Sequence, residues 1–205
     1  MPPDRDEPLR LANSVKDLGL RHCVITSVDR DDLPDRGASF WAETVKKIRE
    51  VNQGVTIETL IPDFDGKEEH IQLLIDAGPD VISHNLETAR RLTPLIRTKA
   101  KYERSLSVLK YIATKNKTAK SGFMVGLGET ESEVLEIIAD IRSTGCGILT
   151  IGQYLKPGLG FMEPVEYVDP GLFEKYRSAA LDEGFDIVES SPLVRSSFHA
   201  ERHVR

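Results

Sequence analysis

Residues 120–130 read KSGFMVGLGET, a stretch that leaves the chain little choice of local structure. Phe123, Met124 and Val125 form the apolar run of a buried strand, and Gly126 and Gly128 then make a turn. Thr130 follows as a helix N-cap, with Glu133 three residues on as the reciprocal half of a capping box. Val134, Ile137, Ile138 and Ile141 fall on one face of the helix so begun. Lys120 and Glu129 bracket the loop, whose glycines would let backbone amides come close to a ligand. The same residues also suit a plain turn that needs glycine for positive φ.

The strand, loop and helix unit recurs along the chain. Strands are expected at 23–26, 56–60, 81–83, 121–125, 148–151 and 185–188, alternating with helices whose inward faces include Trp41, Val45 and Ile48, then Ile71, Leu74 and Ile75. Such alternation implies parallel strands joined by right-handed crossovers. No GxGxxG or P-loop follows any strand, so the usual dinucleotide and nucleotide folds have no support. Polar side chains instead cluster after several strands: Ser27 and Asp29 to Asp32, then His84, Asn85 and Glu87, then Gln153, Tyr154 and Lys156. That distribution suits the mouth of a barrel better than a single switch point in an open sheet.

A length of 205 residues favours one domain, and a net charge of −6 without a long basic run argues against nucleic acid. No segment reaches the length of a membrane span, and the N-terminus lacks signal or transit character, so a cytoplasmic protein is expected. Cys23 and Cys146 lie in or beside apolar runs and read as core residues. The tail, SSPLVRSSFHAERHVR, is polar and lacks helical periodicity, and a terminus of that kind is disordered by default.

Taken in order, PPDRDEPLRLA, VITSVDRDDLPD, ETLIPDF, SHNLETARRL, KSGFMVGLGETESEV, LTIGQYLKP and SSPLVRSSFHA make a specific set spanning residues 2–200. With these motifs the chain resembles the lipoyl synthases, which are radical S-adenosylmethionine enzymes. The resemblance implies a partial parallel (β/α)6-type barrel over residues 1–190, followed by a tail, 191–205, that contributes to a cluster site. It implies insertion of two sulfur atoms at C6 and C8 of a protein-bound octanoyl group, using S-adenosylmethionine and two 4Fe-4S clusters, one of them the sulfur source. The implied partners are an octanoylated lipoyl-domain protein or a glycine-cleavage H-type protein, with iron–sulfur delivery and electron-donor proteins. By the same resemblance Ser197 ligates an iron of the sulfur-donating cluster. Ser27, Asp29, Asn85, Glu87, Lys120, Gln153 and Tyr154 match positions that contact S-adenosylmethionine or substrate.

The chain also departs from the family. The cluster-binding cysteines, in a Cys-x-x-x-Cys-x-x-Cys loop and a further group of three, have no counterpart among these residues, nor has the first barrel strand. The resemblance is therefore to an N-terminally truncated member that holds neither cluster by itself, with the strand at 23–26 left as an open edge. Arg36 stands where the family usually has glycine, Phe198 where it has tyrosine, and GLGFMEPV where it has a His-Leu-Pro-Val run. Two other readings remain: an inert relative kept as a binding module, and a metal-free barrel enzyme using Lys120 as a Schiff-base nucleophile.

Overall fold

Helix α1 (Glu7–Asp17) starts with proline in its first turn and buries Pro8, Ala12 and Val15. It leads into β1 (His22–Thr26), the first strand of the computed structural model, which describes residues 3–97 and 99–204. The chain then alternates through α2 (Ala38–Val51), β2 (Thr56–Leu60), α3 (Glu68–Ala77) and β3 (Val81–Ser83). After a short α4 (Thr93–Ile96) come α5 (Tyr102–Thr114), β4 (Thr118–Val125), α6 (Glu131–Ser143), β5 (Ile148–Gln153), α7 (Pro170–Asp182) and β6 (Ile187–Ser190). The six strands form one parallel sheet in the order β1-β2-β3-β4-β5-β6. β1 and β6 are the two edges, so the barrel is partial, as the resemblance implied.

Strand register divides the sheet into two chemically different faces. Cys23, Ile57, Ile82, Ala119, Phe123, Leu149, Ile151 and Val188 belong to one buried cluster with the inward sides of the helices. Burying each large aliphatic side chain there contributes roughly 1.5–3 kcal/mol, which fixes register because a one-residue slip would turn the whole set to the other face. The opposite, concave face carries Glu58 on β2, Lys120, Gly122 and Met124 on β4, Thr150 and Gly152 on β5, and Glu189 on β6. A polar lining on the concave side of a parallel sheet is where a barrel places its chemistry.

Thr130 caps α6 as its sequence predicts: its hydroxyl accepts from the Glu133 amide at 3.2 Å, and the Glu133 carboxylate accepts from the Thr130 amide at 2.8 Å. The last strand lies two residues later than 185–188, and 65–66 form a 3-10 turn ahead of α3 rather than its start. The tail is the larger correction, because it is packed. From Ser190 it continues beside the end of β5, where Ser191 donates to the Ile151 carbonyl and Gln153 to the Pro192 carbonyl. It then crosses the concave side, and a 3-10 turn over Ala200–Arg202 packs against β1, with Ala200 and His203 buried. One short segment thus links the two edges of the open sheet, so β1, free of a strand partner on its outer side, is covered in part by the tail. No helix is long and apolar enough to cross a membrane among the described residues.

Candidate functional site

The loops after β1, β2 and β3 hold the backbone in costly conformations. Arg36, Phe64, Asp65 and Glu87 all have positive φ (55°, 46°, 58° and 70°) without being glycine. Each such residue costs on the order of 1–2 kcal/mol, and strain of this kind gathers at functional rims. At Arg36 the guanidinium offsets part of that cost by binding Asp65 at 2.6 Å and the Asp31 carbonyl.

Asp29 lines a cavity of about 260 Å³ at this rim, together with Asp63, Asp65, Arg97, Lys99 and Arg104. Arg97 reaches from that cavity to the carbonyls of Asn85 and Leu86, at 3.3 and 3.4 Å, so Asp29 and the Asn85–Glu87 segment share one rim. Glu87 continues the line of β3 beside β4, its amide donating to Gly122 and its carbonyl accepting from Met124. Burial pushes the Glu87 carboxyl above the ordinary range against the pull of Arg97. Asn85 Oδ1 is buried without a partner, and it sits 3.2 Å from where a Cβ on Gly122 would lie. That orphaned acceptor lies beside a glycine and the Thr150 hydroxyl, and a buried polar atom without a partner calls for one.

Lys120 is not at the mouth, where its place beside the glycine loop put it, but inside the barrel. It is fully buried, and its ammonium donates to Glu58 Oε1 at 2.7 Å and to the Ser196 carbonyl at 2.5 Å. Burial pushes Lys120 down and Glu58 up, each toward its neutral form, and the close contact opposes both shifts. The second acceptor, the Ser196 carbonyl, takes another N–H of the same group. Enclosed and doubly engaged in this way, the Lys120 amine has no open approach for a carbonyl substrate. Ser197, next to the anchored Ser196, remains exposed.

The other expected contacts are turned elsewhere. Gln153 Nε2 donates to the carbonyls of Tyr154 and Glu166, and its Oε1 accepts from Val168, so this side chain clamps the 154–168 connection. The Tyr154 hydroxyl donates to the Met162 carbonyl at 2.9 Å and serves the same loop. Ser27 is exposed and donates to the carbonyl of Val28. The glycine loop is closed to ligands at its first two amides, since Glu129 accepts from both Gly126 and Leu127. Gly126 is required for a different reason: a Cβ there would stand 2.2 Å from Gln153 Nε2. Arg97 at the rim and Glu58 in the interior, the latter opening the ETLIPDF motif, were not among the expected site residues. Glu58 had a legible signal, a lone carboxylate at a mid-strand position of β2.

The radical SAM superfamily pattern matches residues 2–141. The lipoyl synthase of Parabacteroides distasonis is 53% identical over 204 residues, covering 100% of this chain and 73% of that protein. This chain belongs to the lipoyl synthase family. The lipoyl synthases of Phocaeicola vulgatus and Treponema denticola are 54% and 51% identical, with 72% and 70% of their lengths covered. In fold it is similar to methylornithine synthase (PylB), with a TM-score of 0.68 over 94% of this chain and 64% of that one at 13% identity. It is similar also to Streptococcus suis SuiB bound to S-adenosylmethionine, with a TM-score of 0.68 over 100% of this chain and 47% of that one, again at 13% identity.

The 4Fe-4S clusters of a lipoyl synthase do not fit the thiols present here. Cys23 and Cys146 are both buried, and burial raises their thiols to about 11 and about 12. Cys146 is further tied to the carbonyls of Ala119 and Ile148. Among the described residues no group of three His, Cys, Asp or Glu side chains converges as a metal site. A cluster needs three or four converging thiolates, and these two cysteines stay in the helix-facing core as expected.

Proposed function

We propose that this chain forms the barrel and C-terminal portion of a lipoyl synthase, the enzyme that inserts two sulfur atoms at C6 and C8 of an octanoyl group on a carrier protein. The observation that carries the reading is 53% identity to a lipoyl synthase over 204 residues, along the whole chain. The carrier is an octanoylated lipoyl-domain or glycine-cleavage H-type protein. Asn85 and Glu87 offer acceptors to the amino and hydroxyl groups of S-adenosylmethionine at the rim, and Asp29 lies beside them in the cavity that Arg97 lines. Gln153 and Tyr154 shape the site through the loop they clamp.

Residues 191–205 act as part of the site, with Ser197 offering its hydroxyl oxygen from the concave side. An oxygen ligand is weaker toward iron than a thiolate, which suits a cluster that is given up. The cluster thiolates themselves come from polypeptide other than these 205 residues.

Joining this chain to the N-terminal segment of the Parabacteroides distasonis lipoyl synthase tests the reading. Anaerobically reconstituted, the fusion is expected to convert an octanoylated carrier to its lipoyl form, read by the mass of the carrier. A fusion that loads iron and sulfide fully yet leaves the octanoyl group unchanged would refute the proposal and favour an inert binding module.

A further inference from the structure

We propose that the buried Glu58–Lys120 pair is a seat for the C-terminal segment, holding the Ser196 carbonyl and thereby fixing where Ser197 stands over the concave face. A buried ion pair is weak evidence for stability, because desolvating both charges offsets most of their attraction. Here the pair has a further task visible in its contacts. One proton of the ammonium goes to Glu58 and another goes to a backbone carbonyl of a segment that forms no strand. Outside a sheet ladder each backbone carbonyl that leaves water needs its own donor, and a buried ammonium is among the strongest.

The path of the tail is prepared on either side of that contact. On β5, a Cβ at Gly152 would come 2.4 Å from the Val194 carbonyl, so glycine lets the segment lie directly on the strand. On β4, Lys120 takes the carbonyl two residues later. Ala200 is then buried where the final turn meets β1. Three strands thus hold the segment at 194, 196 and 200, and Ser197 falls between the second and third of these positions. Lys120 is therefore a positioning residue. Its consequence for sulfur insertion rests on the reading of Ser197 given above, while the seat itself does not.

Native-state hydrogen exchange on the 205-residue chain tests the seat without any assay of lipoyl formation, so its failure and that of the functional reading are distinguishable. Glu58→Gln leaves Lys120 able to donate to Ser196 and is expected to keep the tail protected. Adding Lys120→Met removes that donor, and the amides of Val194, Phe198 and Ala200, which donate within the tail, should exchange roughly tenfold faster or more. Amides of β2 to β4 should lose no protection when Lys120→Met is added to Glu58→Gln, since the double variant leaves no unpaired buried charge. Equal tail protection in both, or a loss spread evenly over β2 to β4, would overturn the proposal. If the double variant does not fold, the Lys120 ζ-nitrogen resonance supplies the reading. It should shift when the chain is ended at Val194, and an unshifted resonance would overturn the proposal.

Discussion

Supplied anaerobically with ferrous iron and sulfide, the 205-residue chain is expected to form no stoichiometric 4Fe-4S absorption and to leave S-adenosylmethionine uncleaved. The expectation comes from thiol geometry and not from a shortage of polar groups. Thiolates are the ligands of such clusters, and the two thiols here are held protonated by burial, at about 11 and about 12. Cys23 faces the helices from β1, and Cys146 donates to two backbone carbonyls, so bringing them together would require opening the sheet–helix core. The same reconstitution applied to the fusion with the relative's N-terminal segment provides the positive control. Stoichiometric loading of the 205-residue chain would contradict the assignment of both thiols to the core.

The second large effect concerns stability. Lys120→Met alone should destabilise the chain by about 3–5 kcal/mol, because it leaves a fully buried carboxylate without its cation. Glu58→Gln combined with Lys120→Met removes both charges and should recover most of the difference, because apolar or neutral replacements of a buried pair are often near neutral. Urea denaturation followed by circular dichroism checks this through the midpoint at constant slope. A single variant as stable as the parent, or a double variant no better than the single, would show that the charges are not energetically coupled as their 2.7 Å contact implies.

The sheet and its order were legible because local signals and fold agree. Thr130 and Glu133 form the expected capping box, and the buried runs at 56–60 and 81–83 coincide with β2 and β3. Side-chain direction was less legible. Lys120 adjoins the glycine loop in sequence, yet register with Ser83 and Ile148 places it inside the barrel, a fact set by the stagger of neighbouring strands. Gln153 carries amide chemistry suited to a ligand, but as the last residue of β5 it falls on the face toward the 154–168 connection, where three backbone groups need it.

The tail was the least legible part. Polar segments without periodicity have no local preference for order; the tail makes local turns of its own, but what places 191–204 on the sheet is long-range: the end of β5, Lys120 on β4, and the edge strand β1. Glycine at 152 was the one local hint, and it acquires meaning only when the Val194 carbonyl is seen against it. The motifs shared with lipoyl synthases pointed to Ser197 where composition could not.

The role given to Ser197 is tested most directly by substituting it in the fusion that supplies the cluster thiols. Ser197→Ala should abolish lipoyl formation on the octanoylated carrier while leaving 5′-deoxyadenosine production from S-adenosylmethionine largely intact, both read from the same anaerobic reaction by mass spectrometry. Undiminished lipoyl formation, or an equal loss of both products, would contradict the assignment of the C-terminal segment to the sulfur-donating site.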